Sequence, residues 1–125
     1  MITNIEPMDG VNLEQGLRNT GDSIKVYTRL LANFFISCPD YHQQLQVAIQ
    51  EKKPEQIRRV IHKLYGVSEL LGVELIAQDC SFLLSNSQAQ AENQLLMESK
   101  LSSLLLHLDR IYMQNQDKIQ IWNKR

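Results

Sequence analysis

The chain of 125 residues is long enough for one domain and too short for two independent hydrophobic cores. Hydrophobic residues make up 43%, enough to fill one core, and charged residues make up 22%, which excludes a highly charged disordered chain. The net charge of −1 argues against a domain that binds nucleic acid mainly by electrostatics.

The two cysteines and two of the histidines indicate neither a metal site nor a disulfide framework. Cys38 and Cys80 are far apart, and His42 and His107 have no Cys, Asp or Glu at metal-ligand spacing. No apolar run approaches the ~20 residues that cross a bilayer, and the first residues lack the pattern of a signal peptide. We therefore expect a reduced, cytoplasmic domain without direct membrane contact, and if the domain belongs to a membrane protein, the membrane part would lie outside this chain.

Leu, Gln, Glu, Lys and Ala fill the stretches between few prolines and glycines, and no stretch alternates with period two, so no strand is predicted. Residues 1–9 are interpreted as a tail or linker, and residues 10–125 as the domain. Six helices are predicted. The first covers about residues 13–19 with Asn12 as its N-cap, and the second begins at Gly21-Asp22-Ser23 and ends at about residue 37. The other four cover about residues 39–51, 54–71, 73–86 and 90–120.

Three local signals set the details of this assignment. Pro39 is compatible with the first turn of a helix, so one helix is expected to end before it and another to begin there. Val26, Leu30 and Phe34 recur on one face, which is predicted to be buried, and Tyr27 is a further candidate for it. Gly72 is expected to end its helix in the left-handed conformation. The fold class is all-α, an antiparallel four-helix bundle with a short additional N-terminal helix.

The helix predicted over 54–71 carries a histidine on its polar side. At 100° per residue, its apolar stripe comprises Ile57, Val60, Ile61, Leu64, Val67, Ser68 and Leu71. His62 lies roughly opposite, together with Arg58, Arg59, Tyr65, Gly66 and Glu69. A glycine inside a helix costs ~0.5–1 kcal/mol relative to alanine, so Gly66 beside His62 indicates that another molecule approaches the imidazole closely.

The run from His62 to Gly72 resembles the signature of histidine phosphotransfer (HPt) domains, which is His-x-Leu-Lys-Gly, small residues and then Leu-Gly. Residues 10–17 and 27–34 are similar to the opening helices of that family, so the resemblance covers about residues 10–115. The chain departs from the signature at Tyr65, where the family has lysine, and at Glu69, where a smaller residue is usual.

The resemblance implies a phosphoryl carrier without an ATP site of its own. His62 would accept the group from a receiver-domain aspartate and pass it to a response regulator. Free imidazole has a pKa of about 6.5, so an exposed histidine is a neutral nucleophile near pH 7. No cofactor is expected in this chain, because the receiver supplies Mg²⁺. The partners would be the receiver domains of a hybrid kinase and a response regulator, and the chain is expected to be a monomer. The domain would be either free-standing or the C-terminal module of a hybrid sensor histidine kinase, and the tail before residue 10, which resembles the end of an interdomain linker, favours the module.

The neighbours of His62 would support the phosphoryl group and the docking of the receiver. The best local replacement for the missing lysine is Arg58, one turn before His62 on the same face. The other members of this predicted docking face are Arg59, Tyr65, Gly66 and Glu69. The following helix offers three polar side chains that could brace the imidazole: Gln78, Ser81 and Ser85.

Two alternatives stay open. A bundle of this family that has lost phosphotransfer would act only as a docking adaptor, and Tyr65 in place of lysine favours that alternative. A histidine kinase dimerisation domain is also helical and exposes a phosphorylated histidine. That family continues with an acidic residue and then Arg-Thr-Pro, whereas Lys63-Leu64-Tyr65 follows His62 here.

Overall fold

The computed structural model describes residues 7–86 and 94–123. Within these ranges the chain is helical and contains no strand, so the all-α prediction is confirmed. The helices are α1 (Leu13–Asn19), α2 (Ile24–Gln50), α3 (Pro54–Leu71), α4 (Glu74–Ser85), α5 (Gln94–Gln114) and α6 (Gln116–Asn123). None of the described helices has the length and apolar character needed to cross a membrane.

Four of the helices form the bundle. α3 packs between α2 and α4, and α5 closes the ring by packing against both α2 and α4. Short connections join α2 to α3 and α3 to α4, which makes these successive helices antiparallel. α1 packs across α3 and α2, and α6 packs on α2. The predicted antiparallel bundle with a short additional N-terminal helix is confirmed.

The predicted break at Pro39 is wrong, because α2 continues through it from Ile24 to Gln50. Pro39 cannot donate the backbone hydrogen bond of its turn. Phe35 and Cys38 before it and Leu45 after it are nevertheless all fully buried. Burial of such side chains is worth about 1.5–3 kcal/mol each for the large ones, which outweighs the one missing bond.

The buried face of α2 is also rotated from the predicted one. Val26 is 47% exposed and Leu30 is 36% exposed, whereas Tyr27 and Leu31 are fully buried. Of the four residues predicted for this face, Phe34 and Tyr27 lie in the core, and Val26 and Leu30 do not. The stripe that packs on the other helices begins at Tyr27 and continues through Leu31 and Cys38, which is a second apolar run at helical spacing.

The ends of α3 are those predicted from the sequence. Pro54 occupies its first turn, and Gly72 follows it with φ +75°, the left-handed conformation that favours glycine. The backbone N–H of Asn12 donates to the Gly72 carbonyl over 2.6 Å, and the hydroxyl of Tyr27 donates to the Leu71 carbonyl over 2.7 Å. The C-terminal end of α3 is therefore fixed to both α1 and α2.

The long last helix predicted over 90–120 is interrupted. Residues 90–93 lie outside the described residues, α5 ends at Gln114, and α6 begins at Gln116. Asn115 between them is buried, and its side-chain amide donates to the Ile111 carbonyl over 2.8 Å. An asparagine that binds a nearby carbonyl competes with regular helix geometry. The interruption lets α6 bring Ile119 and Trp122 into the core.

The predicted boundary between linker and domain falls beside the first described residues. Met8 packs against the core, and the carbonyl of Gly10 accepts a hydrogen bond from the Leu75 backbone over 3.2 Å. Residues 1–6 lie outside the described part of the chain. The linker assignment of residues 1–9 stays a prediction.

Candidate functional site

His62 lies on the exposed side of α3, as the helical periodicity predicts. The apolar side of the same helix places Val60, Ile61 and Leu64 in the core, so the register of α3 is fixed by burial. Among the described residues, no hydrogen bond or ion pair involves the imidazole of His62. The ring is therefore held out on a rigid helix with both nitrogens available to another molecule.

Three depressions flank the exposed side of α3, and His62 lines none of them. A polar one of about 560 Å³ between α2 and α3 is lined by Asp40, Gln43, Gln44, Val47, Gln56, Arg59, Val60 and Lys63. A mainly apolar one of about 260 Å³ between α3, α4 and α5 is lined by Pro54, Glu55, Ile57, Arg58, Ile61, Leu83, Leu84, Met97 and Leu101. The third lies between α3 and α4. His62 thus stands on a ridge, which suits contact with the surface of a second protein.

Gly66 lies one turn after His62 and is exposed. A Cβ atom built at Gly66 meets no described atom within 4 Å, so close packing between helices does not explain the glycine. At Gly16, by contrast, a Cβ atom would collide with the Leu71 carbonyl and the Tyr27 hydroxyl. Gly66 therefore lowers the stability of α3 without any benefit to the described fold. This favours a role for Gly66 in the close approach of a partner.

Tyr65 and Glu69 form a pair on the side of His62 that faces α4. The Tyr65 hydroxyl donates to Oε1 of Glu69 over 3.0 Å. This hydrogen bond to a carboxylate, together with its negative charge, raises the pKa of the Tyr65 phenol above its usual value of 10. Tyr65 is half-buried and Glu69 is exposed, so the pair lies at the surface beside the imidazole.

The three α4 side chains predicted as braces are all exposed. Gln78 and Ser81 line the depression of about 190 Å³ between α3 and α4, together with Tyr65 and Glu69. Ser85 lines none of the depressions described above. In the described part of the chain, none of the three forms a hydrogen bond with His62.

The two arginines of the predicted docking face are exposed on opposite sides of His62. Arg58 borders the apolar depression next to α4 and α5, and Arg59 borders the polar depression next to α2. Lys63 joins Arg59 there. The ridge around His62 therefore carries positive charge on both flanks, and the carboxylate of Glu69 lies at its C-terminal side.

A buried polar cluster between α4 and α5 escaped the sequence analysis. Asp79 is only 3% exposed, and its Oδ2 lies 2.6 Å from Nδ1 of His107 and 3.3 Å from Oγ of Ser103, which donates to it. Nζ of Lys100 lies 3.6 Å from the other carboxylate oxygen. His107 does have an acidic partner, but it is 28 residues away in sequence. Ser103 binds Asp79 and not the imidazole of His107, so the geometry is not that of a nucleophilic triad. We call this cluster, which joins α4 to α5 and comprises Asp79, Lys100, Ser103 and His107, the α4–α5 clasp.

We expect His107→Ala to lower the free energy of unfolding by about 2 kcal/mol, because it removes the shortest contact of a buried carboxylate. Urea denaturation followed by circular dichroism measures this change. His42→Ala is the matched control, since His42 is also half-buried but forms no described hydrogen bond. An equal loss in both variants would show that the clasp contributes nothing beyond ordinary packing.

The remaining chemistry-bearing groups of the described residues offer no second site. They contain no group of three or more His, Cys, Asp or Glu that could hold a metal ion. Cys38 and Cys80 are free and buried, and burial raises the pKa of each thiol to about 12. Both sulfurs are thus protonated packing groups and not nucleophiles.

A comparison with protein-family models adds an independent finding. The model of the family described as Hpt domain matches residues 29–112, which extends from α2 to the last turn of α5 and includes His62 and Gly66. No curated protein and no solved structure shows a significant match to the chain.

Proposed function

The chain belongs to the Hpt domain family, and we propose that it carries a phosphoryl group on His62 between the receiver domains of a two-component phosphorelay. The observation that carries this proposal is the geometry of α3: an exposed imidazole, unbonded among the described residues, next to the bare backbone of Gly66. Such an imidazole keeps a nitrogen lone pair for attack, and the glycine leaves room for the surface that delivers the phosphoryl group.

The proposed step is the direct transfer of a phosphoryl group from the aspartate of a receiver to the imidazole of His62. A nitrogen of His62 attacks the phosphorus of a receiver aspartyl phosphate, the N–P bond forms, and the P–O bond to the aspartate breaks. The imidazole proton goes to solvent and the receiver regains its carboxylate. Delivery to a second receiver is the reverse exchange. Phosphoryl transfer of this kind depends mainly on positioning and charge stabilisation. A rigid helix that presents the nucleophile meets the first need.

The setting of the carrier follows from the same proposal. The receiver domains supply the Mg²⁺ and the acidic residues, and this chain supplies no ATP site and no cofactor. We further propose that the chain works as a monomeric module of a hybrid sensor histidine kinase, in the cytoplasm, where it accepts the group from the kinase's receiver and delivers it to a response regulator. The docking face comprises Arg58, Arg59, Tyr65, Gly66 and Glu69.

Incubation of the chain with a receiver domain phosphorylated on its aspartate tests the proposal. We expect phosphate to appear on the chain in a form that is labile to acid and stable to base, as a phosphoramidate is, and peptide mapping to locate it on His62. An unphosphorylated receiver is the matched control. Binding of the receiver without any uptake of phosphate would instead establish the docking adaptor, and phosphate on a different residue would contradict the assignment of His62.

Arg58 is expected to supply part of the positive charge near the phosphoryl group. Arg58→Ala should slow transfer from a phosphorylated receiver about threefold to tenfold, because a cation contact formed as the phosphoryl group is transferred acts on rate. It should also shorten the lifetime of phosphorylated His62, because the phosphoryl dianion loses a neighbouring cation. The effect should be larger at low salt. Rates from rapid-quench labelling, with Arg110→Ala on α5 as control, measure it. Tyr65→Lys in the Arg58→Ala background should restore part of the loss. An unchanged rate and lifetime would show that the receiver supplies the entire cation.

A further inference from the structure

The side of His62 that faces α4 carries a fixed negative charge. Glu69 lies seven residues after His62, about 10 Å along the helix. Side chains on a helix lean towards its N-terminus, so Glu69 leans back towards His62. The hydroxyl of Tyr65, one turn nearer to His62, holds the Glu69 carboxylate at 3.0 Å. The charge is therefore retained on the turn next to the imidazole, where an unbound glutamate would sample solvent.

The depression behind this pair offers the carboxylate no cation. It is lined by Tyr65, Glu69, Glu74, Ala77, Gln78 and Ser81, which include a second acidic residue and no basic one. No ion pair within the described residues involves Glu69. Next to α4, a phosphoryl dianion on His62 would thus meet a negative charge without a neighbouring cation on its C-terminal side. Arg58 lies on its N-terminal side, and Arg59 lies next to α2.

We propose that the Tyr65–Glu69 pair determines how readily phosphorylated His62 gives up its phosphoryl group, with Glu69 as the repelling charge and Tyr65 as the residue that positions it. This inference rests on the proposed function. In the loose transition state of phosphoryl transfer, negative charge leaves the phosphoryl oxygens, so repulsion by a nearby carboxylate is relieved as the N–P bond breaks. The carboxylate therefore shortens the lifetime of phosphorylated His62 and favours the phosphorylated receiver at equilibrium. Tyr65 is a positioning residue in this arrangement.

The experiment isolates the chain from any receiver. Phosphoramidate serves as a small donor: a nitrogen of His62 attacks its phosphorus, an N–P bond to the imidazole forms, and ammonia leaves. After removal of the donor, the loss of phosphate to water is followed over time at low and high salt. Glu69→Gln is expected to lengthen the half-life about threefold or more at low salt and less at high salt, because the repulsion between the two charges is screened.

A double-mutant cycle with Tyr65→Phe and Glu69→Gln separates the positioning role of Tyr65 from the charge of Glu69. Tyr65→Phe should lengthen the half-life by a smaller factor than Glu69→Gln, since the freed carboxylate samples solvent. The double variant should match Glu69→Gln alone, because without the charge there is nothing to position. Glu55→Gln is the matched control: it removes the same charge seven residues before His62, where the side chain leans away, and should change the half-life much less.

Three results would overturn the inference. A half-life unaltered by Glu69→Gln shows that the charge does not act on the phosphoryl group. A shorter half-life in Tyr65→Phe shows that the phenol binds the phosphoryl oxygens directly. An equal effect of Glu55→Gln shows that only the net charge of the chain matters. Failure of the proposed function is distinct: phosphoramidate would then leave no acid-labile phosphate on His62, and the inference would fall with it. Melting curves confirm that each variant is folded.

Discussion

His62→Gln is expected to abolish the uptake of phosphate from a phosphorylated receiver and to leave the fold intact. Glutamine retains a polar side chain of similar length but lacks the nitrogen lone pair that forms the N–P bond. His62 is exposed and makes no described hydrogen bond, so its replacement should change the free energy of unfolding by less than about 0.5 kcal/mol. Labelling with phosphorylated receiver, together with thermal melting by circular dichroism, measures both quantities.

His42→Gln is the matched control for that experiment and should be labelled at the wild-type rate. His42 lies on α2, is half-buried and has no place on the ridge of α3. Undiminished labelling of His62→Gln would contradict the proposed function. A large loss of stability in the same variant would contradict the structural premise that the imidazole packs against nothing.

Local sequence signals were sufficient for the helices that end at strong stop residues. Pro54 and Gly72 bound α3 because proline is favoured in the first turn of a helix and glycine at a left-handed residue after the last turn, and both effects act within a few residues. The same reasoning failed at Pro39. There the cost of a missing hydrogen bond is local, but the compensation comes from α3, α5 and α6 packing on both halves of α2. A break predicted from one residue cannot include contacts made by distant helices.

The site shows the same division between local and distant causes. The exposure of His62 could be predicted because α3 has a single well-defined apolar stripe. The hydrogen bond between Tyr65 and Glu69 has the i, i+4 spacing at which helix neighbours meet, so the sequence contained its signal. The contact between Asp79 and His107 had no such signal. It joins two helices 28 residues apart, and only the packing of α4 on α5 brings the groups together.

Substitutions at Gly66 are expected to separate the stability of the domain from its function. The exposed position has open space for a side chain, so any residue that favours helix formation should stabilise the fold. Gly66→Ala should raise the free energy of unfolding by about 0.5–1 kcal/mol, and Gly66→Gln or Gly66→Arg by similar or slightly smaller amounts. Thermal melting should therefore place all three variants above the wild type.

Transfer from a phosphorylated receiver should nevertheless fall in all three variants, with Gly66→Ala slowed least, Gly66→Gln more, and Gly66→Arg by about tenfold or more. A tenfold loss corresponds to only about 1.4 kcal/mol of transition-state stabilisation, which a side chain standing between two docked surfaces readily removes. Ser102→Arg adds the same bulk and charge to an exposed position on α5 and should leave transfer unchanged. A graded series is the signature of steric exclusion, since added positive charge alone would change the rate of the arginine variant only. If all three variants transfer at the wild-type rate, the receiver does not pack on this turn of α3, and the docking face must lie on another side of His62.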